Sequence, residues 1–381
     1  MIKIIHCADA HIDAPFTLND PRNTNAEFKR MELRSSFTKL VMHAKNYGVR
    51  LFLIAGDLFD EEYISKDTAN FLIKEMASYP DCHFFIAPGE SDPYNAKSPY
   101  KLMKWSDNVH IFKSHELAKV EIPELNVDVY GYAFTGEPID TNPFANKKPQ
   151  NQNRINILVG HGELLSVQDA ARNSRVKKIC PITLSHIERS GFDYIALGHL
   201  HIGTAGVQKI GNTFFSYPGC LTGRNFDDPG YRGAMHGEIS KGKCELKGVK
   251  CSPVRFETIQ IDISQFIMES QIYDAIRLAS DKYSDDTALR VELVGVQRQG
   301  FVFNPSEIEQ KLTQFYFLQV KNKTVPQIDI NNLKNDKTIR GIFYKQLEAK
   351  LNSRDEKERT EAHLALQYGL NAFAGLDIVD F

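Results

Sequence analysis

Five short segments carry the residue types that could do chemistry: Asp9-Ala10-His11, Gly56-Asp57-Leu58-Phe59-Asp60, Gly89-Glu90-Ser91-Asp92, Gly160-His161-Gly162 and Gly198-His199-Leu200-His201. Together they offer carboxylate oxygens and imidazole nitrogens without cysteine. That donor set suits Mn, Fe or Zn and argues against a structural zinc site. Two metals about 3.5–4 Å apart, bridged by one carboxylate, can activate water for in-line attack on phosphorus and neutralise the phosphate oxygens. Asp57 is the natural bridge. Gly56, Gly89, Gly160 and Gly198 permit tight turns and leave room for a substrate beside the backbone. Singly, each segment reads as well as a turn with a satisfied side chain; five in this order point to one site. The remaining histidines, His6, His43, His83, His110, His115, His186, His236 and His363, read as structural or surface residues, with His6 the closest to the first motif.

Each segment directly follows a strand-like run. Ile2–Ile5, Leu51–Ala55, His83–Ala87, Val127–Ala133, Ile155–Val159 and Tyr194–Leu197 are short and apolar, as buried strands are. Between them, Ala26–Tyr47 carries apolar residues at mostly three- and four-residue spacing, with Gly48 as a stop, and Ser65 can cap a helix that ends before Pro80. The alternation predicts an α/β layered fold. Open α/β sheets place ligands outside the carboxyl ends of their strands, so the five loops are expected to converge. The Pro-containing stretch Asn142–Asn153 reads as a surface loop. Beyond Lys241 the pattern changes: Phe256–Ile263 and Leu289–Val294 read as strands and Gln271–Lys282 as a helix, which predicts a small α+β domain near 252–325. From about Asn332 the chain is polar and helix-friendly, with Leu347, Leu351, Leu364, Leu366 and Leu370 spaced for amphipathic helices.

The chain has 381 residues, 42% hydrophobic and 25% charged, with a formal net charge of -2. That balance fits a soluble globular protein of more than one unit and excludes a wholly basic nucleic-acid coat, though not a local basic groove. The six cysteines form no CxxC pair and read as reduced cytosolic thiols. No signal-peptide pattern and no apolar run of about 18 residues is seen, so a cytoplasmic location away from membranes is expected.

The five motifs resemble the calcineurin-like metallophosphoesterase superfamily, and within it the SbcD- and YhaO-like bacterial DNA-repair exonucleases. His6–Phe16 (HCADAHIDAPF) and Tyr217–Gly230 (YPGCLTGRNFDDPG) look like the YhaO type in particular. The motifs cover residues 1–240. The resemblance implies a four-layer β-sandwich flanked by helices as a nuclease domain over 1–245, a small α+β capping domain over 252–325 and a helical C-terminal partner-binding region over 332–381. It implies two divalent metals, mainly manganese: Asp9, His11, Asp57 and His201 would hold the first, and Asp57, Glu90, His161 and His199 the second. It further implies cleavage of DNA phosphodiesters, a homodimer formed through helices such as Ala26–Tyr47 or Lys66–Tyr79, and docking of the C-terminal helices on the coiled coil of an ABC-type ATPase. The chain carries no G-x-x-x-x-G-K-[ST], so that motor would be a separate subunit.

One motif departs from the family. Its Gly-Asn-His-Asp is here Gly89-Glu90-Ser91-Asp92. Glu90 is one methylene longer than Asn and negative. Ser91 replaces a His that contacts the phosphate and helps the leaving oxygen depart; with Asp57 and Asp92 it completes the candidate catalytic set. A serine is no general acid near neutral pH, and losing one typically lowers the rate by about 10²–10⁴. Weakened nuclease activity is therefore expected. The alternatives are a catalytically impaired DNA-binding scaffold, or a phosphatase or cyclic-nucleotide phosphodiesterase on the same fold.

Overall fold

The computed structural model describes residues 1–15, 26–165, 179–298 and 300–373. Phe16, at the end of the first YhaO-like segment, and residues 374–381 of the expected tail lie outside the described residues. The chain divides into two compact units, Met1–Glu257 and Thr258–Phe381.

The first unit is built on twelve strands: β1 (Ile2–Cys7), β2 (Leu51–Ile54), β3 (His83–Ile86), β4 (Val109–Ile111), β5 (Ala118–Ile122), β6 (Val127–Gly131), β7 (Ile155–His161), β8 (Tyr194–Gly198), β9 (Gln208–Ile210), β10 (Thr213–Ser216), β11 (Gly233–Ser240) and β12 (Lys243–Lys250). They form two six-stranded sheets, ordered β12-β11-β1-β2-β3-β4 and β5-β6-β7-β8-β10-β9. Strands β1 to β4 run parallel, as do β6, β7, β8 and β10. The carboxyl ends within each set therefore lie on one edge, which is where loops can share a site.

Alternation along the strands makes the layers, because successive side chains point to opposite faces. Ile4, Leu51, Leu53 and Phe85 share a buried cluster with Val129, Ile157, Val159 and Ala196 of the other sheet, so this cluster is the middle of the sandwich. Their neighbours Ile5, Phe52, Ile54 and Phe84 face outward onto Leu33, Phe37, Leu40 and Val41 of α1 (Ala26–Tyr47) and Leu72 and Met76 of α2 (Lys66–Ala77). On the far face of the second sheet, Leu158, Ile195, Leu197 and Phe215 pack with Ile187, Phe192 and Phe144. Helix, sheet, sheet and outer cover give the four layers that the sequence predicts.

The helix signals hold. Gly48 ends α1 at φ +65°, and Ser65 caps α2 by accepting a hydrogen bond from the Thr68 amide at 3.1 Å. Two readings need correction. The Asn142–Asn153 loop is only partly at the surface: Phe144 is fully buried and Asn142 nearly so. The hairpin β11–β12 carries no clear strand signal in the sequence, since its inward residues alternate with Gly237, Gly248 and lysines instead of forming a continuous apolar run.

In the second unit, strands Arg255–Asp262, Thr287–Val294 and Phe317–Asn322 form a sheet in that order, with the last two parallel. Helix Glu269–Ala279 contributes Ile272 and Ile276 to its core. A separate cluster gathers Leu333, Tyr344, Leu351, Leu366 and Leu370 from the helices Ile330–Asn335, Ile339–Leu351 and Glu356–Phe373. Of the five leucines singled out in the sequence, Leu351, Leu366 and Leu370 thus pack in their own unit, Leu347 is half-buried, and Leu364 stays 41% exposed. All six cysteines are buried and free. Among the described residues no helix is long and apolar enough to cross a membrane.

Candidate metal centre

The sheets bring all five motifs to one place. Asp9 and His11 follow β1, Asp57 and Asp60 follow β2, and Glu90, Ser91 and Asp92 follow β3. His161 ends β7, and His199 and His201 follow β8. Ligand atoms of Asp9, His11 and His201 lie within 4.8 Å of one another, as do those of Glu90, His161 and His199; Asp9, Asp57 and His161 form a third such group. Asp57 stands between the first two. Its Oδ2 is 3.7 Å from His11 Nε2 on one side and 3.7 Å from His161 Nε2 on the other.

The backbone is strained to achieve this. Asp9, His11, Asp57 and His199 all have positive φ, at 49°, 42°, 51° and 108°. Non-glycine residues rarely adopt such angles, and each costs about 1–3 kcal/mol. The loops are also in close contact. A Cβ on Gly198 would lie 1.8 Å from the Ala55 carbonyl oxygen, and one on Gly89 would lie 2.3 Å from Asp57 Oδ1. Glycine at these two positions is a packing requirement.

Each histidine is oriented from behind. His11 Nδ1 meets Asp60 Oδ1 at 2.5 Å, and His161 Nδ1 meets the Ala55 carbonyl oxygen at 2.8 Å. Both leave Nε2 turned to the centre, buried and without a hydrogen-bond partner. His201 Nδ1 lies 3.3 Å from Asp228 Oδ1. Such outer carboxylates fix the ring and tautomer of a metal-binding imidazole. Sequence reasoning misses Asp60 and Asp228 as site residues, although both lie inside quoted segments; the oxygen a histidine needs behind it is a signal visible only once the chain is folded.

Glu90 occupies the second ligand group. Its Oε2 is 2.6 Å from His161 Nε2 and its Oε1 2.9 Å from His199 Nδ1. Burial alone would raise the Glu90 carboxyl, but its contacts with His161 and then His199 hold it well below the usual carboxylate range. Burial would lower His161; the carboxylates of Asp57, Glu90 and Asp9 instead raise it well above an ordinary histidine. Asp9 is raised, first by burial and against the pull of His161. Ser91 does not face outward: its amide donates to Asp57 Oδ1 at 3.0 Å and its hydroxyl to Asp57 Oδ2 at 2.9 Å.

Asp92, grouped with the catalytic set in the sequence, has a different place. Its oxygens accept from the amides of Gly89, Asp57 and Leu58 at 2.7, 3.0 and 2.8 Å, and from Tyr100 Oη at 2.7 Å. It braces the loops after β2 and β3 against each other. Burial, then the neighbouring Asp57, pushes its carboxyl up to about 8, while Tyr100 and the amides pull it down. His6 is structural. Fully buried, its Nδ1 meets Tyr194 Oη at 2.7 Å, and burial lowers it to about 3.

The residues fit divalent metals. Asp9, Asp57 and His161 are nearly inaccessible to water, and burying carboxylates this close together is costly without a compensating cation. The unpartnered His11 Nε2, His161 Nε2 and Glu90 Oε2 all turn to the space such a cation would fill. The first group, Asp9, His11 and His201 with Asp57, would hold one metal, and Glu90, His161 and His199 with Asp57 the other.

Similarity to known proteins agrees with this geometry. The chain is 25% identical over 271 residues to the metallophosphoesterase YhaO of Bacillus subtilis strain 168, covering 69% of this chain and 64% of that protein. It is 24% identical over 263 residues to SbcD, the nuclease component of SbcCD, from Staphylococcus epidermidis, covering 61% and 65%. To the DNA double-strand break repair protein Mre11 of Sulfolobus acidocaldarius it is 24% identical over 207 residues, covering 52% and 50%. The chain thus spans a little under two thirds of the first two relatives. The profile of the calcineurin-like phosphoesterases, which use a dinuclear divalent metal centre, matches residues 2–203. With the five motifs of that stretch gathered around Asp57, the chain belongs to the calcineurin-like phosphoesterase family.

Proposed function

We propose that this protein is a metal-dependent DNA phosphodiesterase, working as the nuclease subunit of a DNA-repair complex. The observation that carries the proposal is the position of Asp57 Oδ2, 3.7 Å from one histidine of each ligand group. Paired divalent ions, Mn²⁺ in this reading, supply Lewis acidity and a nucleophile at neutral pH when bound. The chain's own part is positional. Asp60 and Asp228 orient His11 and His201, Asp92 fixes two of the loops, and Ser91 holds the Asp57 carboxylate in place. The nuclease relatives support DNA as substrate and an ABC-type ATPase as partner. Residues 252–325 are proposed as a capping domain and 332–381 as the partner-binding region, where Ile339, Ile342 and Leu364 remain exposed. A homodimer through α1, which exposes Met31, Met42 and Tyr47, and a cytoplasmic location complete the reading.

The inward turn of Ser91 favours one second reading. Its hydroxyl is committed to Asp57, so the third motif offers no proton donor to a leaving oxygen. A scaffold that binds DNA and the ATPase with little turnover follows from that. The test is Mn²⁺-dependent cleavage of labelled single- and double-stranded linear DNA, with Asp57→Ala in parallel. Cleavage abolished by the substitution supports the nuclease. Absence of cleavage, with the ATPase partner added, overturns it in favour of the scaffold.

A further inference from the structure

A cavity of about 430 Å³ opens beside the loop that carries the last metal motif. One wall is Gly203, Thr204, Gly206 and Pro218; the other is the β11–β12 hairpin with the Tyr231 and Arg232 that precede it. The first wall is tied to the metal centre by the backbone. The Cys220 amide donates to the His201 carbonyl at 3.1 Å, and the Thr204 amide to the Tyr217 carbonyl at 3.0 Å. Gly203 lies two residues beyond His201 and packs so closely on Gly219 that a Cβ there would come within 3.0 Å of the Gly203 amide.

The lining is one-sided in charge. It includes Arg232, Lys247 and Lys250 and no carboxylate, in a chain whose net charge is -2. Arg232 Nε is buried without a hydrogen-bond partner. Tyr231, 42% exposed, gathers further positive charge: the Lys250 ammonium sits 3.5 Å from its ring centroid and the Arg255 guanidinium 5.0 Å. Cations held this close together repel one another, and the tyrosine face offsets only part of that repulsion. Like charges gathered in a concave polar surface make a subsite for a polyanion.

We propose that this groove is a strand-holding subsite, in which Arg232, Lys247 and Lys250 bind the phosphodiester backbone of a single nucleic-acid strand that extends from the metal centre across the β11–β12 hairpin. The inference rests on the phosphodiesterase reading and adds to it a substrate class: a polynucleotide with phosphates beyond the one cleaved, in place of a small diester. No base is read, so the hold is independent of sequence.

The test is fluorescence anisotropy of a labelled 20-nucleotide single strand with the full chain in EDTA, where turnover plays no part. Lys247 and Lys250 are both exposed, and the variant Lys247→Glu/Lys250→Glu reverses them together. Lys147→Glu/Lys148→Glu, in the exposed part of the polar loop, makes the same change of charge elsewhere. Each phosphate contact to a single strand contributes about 0.7 to the logarithmic salt slope. Loss of two contacts is therefore expected to flatten the slope by about 1.4 and to weaken binding on the order of 25-fold at 0.1 M salt. The loop control is expected to leave both unchanged. Equal affinity and slope for the hairpin variant and the wild type would overturn the proposal. So would an equal loss in the loop control, which would mean that net charge alone governs binding. A chain that binds DNA through the groove but cleaves nothing with Mn²⁺ would remove the nuclease reading and leave the subsite standing.

Discussion

At the scale of single residues, the third motif decides how well the centre works. Glu90 takes a position among His161 and His199 that a neutral amide holds in the family, and it adds a negative charge beside Asp57 and Asp9. Ser91 is turned onto Asp57 and offers no acid. The double substitution Glu90→Asn/Ser91→His is expected to raise Mn²⁺-dependent phosphodiester cleavage by about 10²–10⁴, the usual contribution of a general acid; an unchanged rate in a metal-loaded variant would show that the motif is not limiting. The oxygens behind the histidines act on metal binding first. Asp60→Asn and Asp228→Asn are each expected to weaken Mn²⁺ by about 10–100-fold in titration calorimetry, as loss of an outer carboxylate typically does. Affinities equal to wild type would mean that His11 and His201 are held by other contacts.

At the scale of elements, the site is made by loops touching loops. The β8 loop rests on the carbonyl of Ala55 in the β2 loop, and Gly198 is the contact. Gly198→Ala places a carbon where no space exists, so His199 and His201 must move away from Asp9. The expected result is a folded protein with normal circular dichroism and a loss of at least about tenfold in metal affinity, of the order seen when support for ligands is removed. Retention of full affinity would show that the two loops move together. Asp92 acts at the same scale. Buried and accepting from three amides and Tyr100, it holds the β2 and β3 loops in the conformation that gives Asp57 its positive φ.

At the scale of the whole molecule, every ligand candidate belongs to the first unit, Met1–Glu257. Metal binding should therefore stabilise that unit through mass action, by about 2.7 kcal/mol at a free concentration 100 times the Kd. Hydrogen exchange with and without Mn²⁺ is expected to show new protection in the loops after β1, β2, β3, β7 and β8. Protection confined to residues 258–373 would contradict the assignment.

The sequence by itself determined the strands that end in motifs, the helices capped by Ser65 and closed by Gly48, and the identity of the Asp and His candidates. These are local properties: apolar runs, caps and residue types are written in a few consecutive positions. It also carried the departure at Glu90 and Ser91, since a substitution within a motif needs no fold to be seen. Only the tertiary structure decided where those residues act. Asp92 became a brace and not a catalytic group because its four donors come from three separate segments. Asp60 and Asp228 joined the site because each stands behind a histidine distant in sequence. The cationic groove was hidden for the same reason: Arg232, Lys247 and Lys250 are spread over two strands and a turn among acidic neighbours, and they share one wall only when β11 and β12 pair.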